Sequence, residues 1–167
     1  MNYNKYNKMA DAIRKHTFLV KLIHFLNILF TAVGFLMYPL LLLKFLRERK
    51  WKRLFLNLTI PALAFFAVTI FRRKTNAKRP YQFYPIRLLI EKDKQGQSFP
   101  SRHTFSIMLI AGLWLIVCPP AGMVLLLCGA GLAAIRVIGG VHFFKDVFCG
   151  TGLGLFAAFL VYALCAI

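Results

Sequence analysis

Two histidines and an aspartate stand where they could carry nucleophilic chemistry. His142 and Asp146 are four positions apart, which places them on one face of a helix. A carboxylate there can accept a hydrogen bond from one imidazole nitrogen, fix the tautomer and leave the other nitrogen free as a nucleophile. The rival reading is an acidic residue stabilising the start of the last apolar run, and the pair alone does not choose. His103 follows Pro100-Ser101-Arg102 and opens another apolar run. Ser101 is placed to cap that helix, whose free N–H groups and dipole suit an anion. His103 is then positioned as a general acid, with a cap beside an interfacial histidine as the plainer alternative. Arg72, Arg79 and Arg136 sit at the edges of apolar runs. Guanidinium forks match phosphate oxygens, although boundary arginines also snorkel to headgroups, which suits Arg73 and Lys74. Snorkelling suits Arg136 less well, because it interrupts an otherwise apolar helix end, AAIRVIGGVH. A charge deep in a bilayer costs about 2.5–3.5 kcal/mol on insertion scales and tends to face a functional interior.

The elements that must position these groups are apolar. Of 167 residues, 59% are hydrophobic and 16% charged, yet the formal net charge is +17. A soluble domain of this size cannot bury so much apolar surface, and disorder requires low hydrophobicity; a membrane protein remains. Uncharged runs cover 22–43, 54–71, 104–135 and 147–167, each long enough or nearly so to span a bilayer. Pro119-Pro120 divides the third into helices over about 104–118 and 121–137. The expected architecture is an all-α polytopic bundle of five to six transmembrane helices. Residues 1–21, with Lys5, Lys8, Arg14, Lys15 and Lys21 among Met9, Ala12, Ile13, Phe18 and Leu19, read as an interfacial amphipathic helix leading into the first span. Residues 22–167 then form one membrane-embedded domain.

Charge sets the orientation and the partners. The connection KFLRERKWKR (44–53) holds six Lys or Arg in ten residues, so the positive-inside rule places it in the cytoplasm. Alternation puts loops 72–102 and 138–146 together on the outer face. The nine basic residues of loop 72–102 argue the opposite way unless they serve a ligand. Basic residues squeezed between apolar runs point to anionic headgroups or phosphorylated substrates and away from nucleic acid. Cys118, Cys128, Cys149 and Cys165 have no CxxC spacing and read as small buried hydrophobes.

Taken together, three segments resemble the type 2 phosphatidic acid phosphatase superfamily, which includes lipid phosphate phosphatases and vanadium haloperoxidases. Its motifs are KxxxxxxRP, PSxH and SRxxxxxHxxxD. Here they read RRKTNAKRP (72–80), PSRH (100–103) and IRVIGGVHFFKD (135–146), in that order. The resemblance covers about residues 54–167. It departs twice: Arg72 replaces Lys, keeping the charge, and Ile135 replaces Ser, losing a hydroxyl that in the family can bind a phosphate oxygen.

The resemblance implies that His142 attacks phosphorus to form a phosphohistidine while Asp146 holds its ring. His103 protonates the leaving oxygen and later activates water. Arg72, Arg79, Arg136 and the Ser101-Arg102 region stabilise the equatorial oxygens. The expected enzyme is a metal-independent hydrolase with no cofactor, because Glu91 and Asp93 are the only acidic residues of the long loop and offer no carboxylate cluster for Mg²⁺. Its expected partners are the bilayer and a lipid phosphate whose tail stays in the membrane. The compact form looks like bacterial members, which favours undecaprenyl pyrophosphate. Phosphatidylglycerophosphate, phosphatidic acid and lipid A phosphates are the alternatives, and a non-catalytic binder of anionic lipid is the rival class. The expected location is the plasma membrane, with the site on the extracytoplasmic face. Tyr81, Phe83, Tyr84, Phe143 and Phe144 either line a lipid entry or form an interfacial aromatic belt, the belt being favoured.

Overall fold

A computed structural model describes residues 3–90 and 95–166. Among the described residues there is no strand. Seven helices follow one another: α1 (Tyr3–Arg14), α2 (Thr17–Arg47), α3 (Trp51–Thr75), α4 (Pro80–Phe83), α5 (Arg102–Val117), α6 (Pro119–Ile138) and α7 (Phe144–Ala166). The helices α2, α3, α6 and α7 are long and apolar enough to cross a membrane. The uncharged cores anticipated at 22–43 and 54–71 are extended at both ends, because basic residues continue the helices of α2 and α3 past their apolar runs.

The fifth apolar helix, α5, has 16 residues, a rise of about 24 Å, and is shorter than a bilayer core of about 30 Å. It lies at the centre of the bundle. Phe105, Ile107, Leu109, Ala111 and Leu113 are all buried, so nearly every face of this helix meets protein, as expected of a helix apolar all round. Outward-facing side chains are also apolar: Phe35 is 82% exposed and Phe148 76%. Such a surface is stable against lipid and unstable in water.

Close helix packing fixes the site end. A Cβ at Gly150 would lie 2.6 Å from the Ser101 carbonyl oxygen, and one at Gly154 would lie 2.4 Å from that of Phe105. Two glycines four residues apart thus let the backbones of α7 and α5 touch. One turn before Gly150, the Asp146 carbonyl accepts a hydrogen bond from the Ser101 N–H at 2.8 Å. The turn between α5 and α6 is a single extended residue, Cys118, and Pro119 and Pro120 begin α6. They suit a first helical turn, where the missing N–H has no partner to lose.

The N-terminal segment differs from the expected single interfacial helix. It breaks at residues 15–16, and Thr17–Lys21 belong to α2. Tyr6 and Ala10 of α1 are buried against Leu89, with Ile138 packed alongside. The Tyr6 hydroxyl donates to the Ile138 carbonyl at 3.0 Å and Arg14 donates to the Leu88 carbonyl at 2.6 Å. This helix therefore docks on protein, because its apolar stripe finds the loop before α5 and the end of α6. Arg87 faces Asp11 of α1 at 3.8 Å in an exposed pair. Lys92, Lys94, Glu91 and Asp93 lie outside the described residues.

Candidate active site

The described parts of the connection before α5, 76–90 and 95–101, meet the connection 139–143 at one end of the bundle, on the same side as α1. The basic 44–53 connection lies at the opposite end, where Glu48 bridges Lys44 and Lys50, each at 2.6 Å. At the site end, His142 leaves α6 on a tight turn. Gly140 takes a φ of 77°, a conformation that favours glycine, and the N–H groups of Val141 and His142 both return to the Arg136 carbonyl at 3.2 Å. His142 thus sits beside Asp146, in the first turn of α7.

The His142–Asp146 pair is buried, at 1% and 0% exposure. Asp146 Oδ2 accepts from the Phe143 N–H at 2.9 Å and stands 3.4 Å from His142 Nδ1. A third group joins them that the sequence reading did not single out. The Ser98 hydroxyl donates to Asp146 Oδ2 at 2.5 Å and lies 3.3 Å from His142 Nδ1. Nδ1 is therefore the engaged nitrogen, and Nε2 is the one left for chemistry. Burial pushes the His142 pKa down to about 4, helped by the nearby Arg79 and Arg72 charges and opposed by the Asp146 hydrogen bond. The ring is neutral at pH 7, as a nucleophile must be.

The arginines divide into two kinds. Arg72 and Arg79 are buried and bind backbone carbonyls of the loop before α5. Arg72 donates to the carbonyls of Ser98, Pro100 and Gln97. Arg79 donates from Nε to Gly96 at 2.9 Å and from one terminal nitrogen to Val141 at 3.1 Å. They staple the 96–100 segment to the His142 turn while bringing positive charge to it. Gln82 completes the staple, accepting from the N–H groups of Arg79 and Gly96 at 2.9 and 2.8 Å. Arg136 differs: it is equally buried, but its Nε has no partner. An uncompensated buried donor is costly and is suited to a bound oxyanion.

The α5 end corrects two expectations. Ser101 occupies the N-cap position, but its hydroxyl makes no capping bond and instead meets the Thr104 hydroxyl at 3.0 Å. Arg102 is turned toward α3, its guanidinium 5.4 Å from the centre of the Phe65 ring, and does not join the Arg72–Arg79 hydrogen-bond network. His103 and Arg136 line one depression together with Asn27 and Thr31 of α2. The Asn27 Oδ1 is buried there without a partner. Asn27 escaped the sequence reading because a lone amide in an apolar run carries no spacing signal.

Ile135, at the position where the motif has Ser, is buried with Ile90 and Val141. It turns into an apolar cluster, while Arg136 turns to the site. Phe83 and Phe143 pack at 6.2 Å and, with Tyr84 and Phe144, line a separate depression at the site end.

Residues 53–166 match the PAP2 superfamily model, and the chain belongs to that superfamily. Its fold is similar to that of LpxE from Aquifex aeolicus, with a TM-score of 0.70 and 24% identity over 96% of this chain and 93% of that one. It is also similar to the first transmembrane PAP2 type phosphatidylglycerolphosphate phosphatase from Bacillus subtilis, with a TM-score of 0.66 and 21% identity over 98% of this chain and 85% of that one. No curated protein gives a significant sequence match.

Proposed function

We propose that this chain is a membrane phosphatase that hydrolyses a phosphomonoester or pyrophosphate on a lipid. The observation that carries the reading is the buried cluster at one bundle end. His142 is held through Nδ1 by Asp146 and Ser98, and Arg72, Arg79 and Arg136 gather nearby. In the proposed reaction, the His142 Nε2 lone pair attacks phosphorus and the bond to the leaving oxygen breaks. His103 gives that oxygen its proton. A water then attacks the phosphohistidine, His103 takes up its proton, and the P–N bond breaks to release phosphate. Asp146 stabilises the positive charge that develops on the ring. Arg136 and the unspent N–H groups of Arg72 and Arg79 stabilise the equatorial oxygens, which is the main demand of phosphoryl transfer. Ser101 contributes through the α5 N-terminus, its hydroxyl being paired with Thr104, and Arg102, which lines one depression with His103, contributes through its charge.

A lipid substrate is favoured because the mouth beside His103 and Arg136 is lined by a membrane-facing helix. Undecaprenyl pyrophosphate remains the preferred substrate, with phosphatidylglycerophosphate, phosphatidic acid and lipid A phosphate as alternatives. The strongly basic connection at the far end supports a plasma-membrane orientation with the site outside. The residues 22–167 act as one catalytic domain in this reading. Phosphate release by purified protein across that lipid panel tests it: release from at least one lipid supports the reading, and release from none overturns it.

A further inference from the structure

The last four carbonyls of an α-helix have no partner inside it. At the end of α6, just before the nucleophile, they belong to Ile135, Arg136, Val137 and Ile138. Three are met by the chain's own turn. Ile135 accepts from the Gly139 N–H at 2.8 Å, Val137 from Gly140 at 3.0 Å, and Arg136 from Val141 and His142 at 3.2 Å. The fourth is met from another element: the Ile138 carbonyl accepts from the Tyr6 hydroxyl of α1 at 3.0 Å. The same hydroxyl covers Gly140, where an added Cβ would collide with it, and an added Cβ at Gly139 would lie 2.7 Å from Ile90. Gly140 has no side chain and a positive φ, so this turn is held by what packs on its backbone. Arg79 grips it at the Val141 carbonyl, and Tyr6 grips it at Ile138. Tyr6 is itself fixed, being 2% exposed in a cluster with Ala10 and Leu89, while Arg14 of the same helix donates to the Leu88 carbonyl. Burial pushes the Tyr6 pKa up to about 12, opposed by the Arg14 charge, so the hydroxyl stays a donor wherever His142 is neutral.

Resting on the phosphatase reading, we propose that Tyr6 is a positioning residue for the nucleophile: through the Ile138 carbonyl and Gly140, it holds the turn that aims His142 at phosphorus. It acts only through the turn. Without the hydroxyl, the Ile138 carbonyl loses its partner and the turn is clamped at Val141 alone, so the ring is free to drift while the phosphate-binding arginines keep their places.

The test uses the full chain in lipid nanodiscs and Tyr6→Phe, which keeps the buried ring and removes the hydroxyl. Rapid mixing with undecaprenyl pyrophosphate or phosphatidic acid, labelled in the phosphate to be released, gives the rate constant for phosphohistidine formation. That constant does not depend on the fraction of enzyme that is folded, so a merely structural loss lowers the amplitude alone. Tyr6→Phe should lower the rate constant about tenfold, within the roughly 100-fold that a misplacement of about 1 Å can cost, and leave KM unchanged. Hydrogen exchange at the amides of 139–142 should quicken in the same variant, while that of α5 and α7 stays as in the wild type. Arg14→Met, which loosens α1 and leaves the Tyr6 hydroxyl in place, should keep the wild-type rate constant. A Tyr6→Phe enzyme with the wild-type rate constant, with a loss of amplitude alone, or with unaltered exchange at 139–142 would overturn the proposal. So would equal slowing by Arg14→Met, which would assign the effect to the docking of α1 as a whole. Absence of both phosphohistidine and phosphate release in the wild type would instead remove the phosphatase reading, and the part of Tyr6 in catalysis with it.

Discussion

Ser98→Ala is the most informative single change at the site. Its hydroxyl is fully buried and gives Asp146 Oδ2 its shortest side-chain hydrogen bond, at 2.5 Å. After substitution, Oδ2 keeps only the Phe143 N–H and the longer approach of His142 Nδ1 at 3.4 Å. A hydrogen bond to a charged group contributes about 1.5–3 kcal/mol. A carboxylate no longer fixed by that bond turns, and lets the His142 ring turn, out of line for attack, and misplacement on this energy scale lowers kcat roughly 10- to 100-fold. The sign of the pH effect is separate and diagnostic. The Asp146 hydrogen bond already raises the His142 pKa against burial and the two arginines, leaving it near 4. Without Ser98, the carboxylate is less neutralised and favours the imidazolium more strongly. The His142 pKa should therefore rise, and the acid limb of kcat/KM should move to higher pH. A steady-state assay over pH 4–8 (roughly the range in which a shifted His titrates) reads both effects. A folded Ser98→Ala enzyme with wild-type kcat and an unmoved acid limb would refute the positioning role; a slower enzyme with an unmoved limb would reduce Ser98 to a packing residue.

Three further outcomes follow from the same contacts. Arg79→Lys cannot span the Gly96 and Val141 carbonyls from one ammonium; losing a charged hydrogen bond or two at about 1.5–3 kcal/mol each should lower both the melting temperature in detergent and kcat/KM. Ile135→Ser, which restores the usual motif residue, should destabilise the protein by about the 2–5 kcal/mol of a core truncation without raising the rate, because the side chain packs on Ile90 and Val141; a faster enzyme would show that this position reaches the phosphate. Phosphate release should persist in EDTA, since a catalytic metal supplies several kcal/mol and its removal would be unmistakable; a large loss restored by Mg²⁺ would reassign the role given to the arginines.

The legible part of this protein was the part with periodicity or spacing. Uncharged runs announced the helices. The four-residue step from His142 to Asp146 marked the pair but as one helix face, whereas His142 lies in the turn before α7 (Phe144–Ala166) and meets Asp146 from there. Side-chain direction was not legible. Arg102 and Arg136 look alike in a sequence, yet one lies over Phe65 and the other is buried at the site with an unpaired Nε. Ser98 belongs to an irregular segment, where no period predicts which way a hydroxyl points. Its place is set by Arg72 and Arg79, which grip the carbonyls on either side of it. The docking of α1 was hidden for a similar reason: an amphipathic stripe says that a helix has an apolar face and does not say whether lipid or protein will cover it.

The central claim is that His142 becomes covalently phosphorylated. The direct measurement is a rapid quench of the purified enzyme with a lipid substrate carrying labelled phosphate, kept at neutral or alkaline pH, followed by mapping of the labelled peptide. The account predicts label on His142 during turnover, and none, with no phosphate release, in a folded His142→Ala variant. Label on another residue, or hydrolysis that survives in that variant, would contradict it.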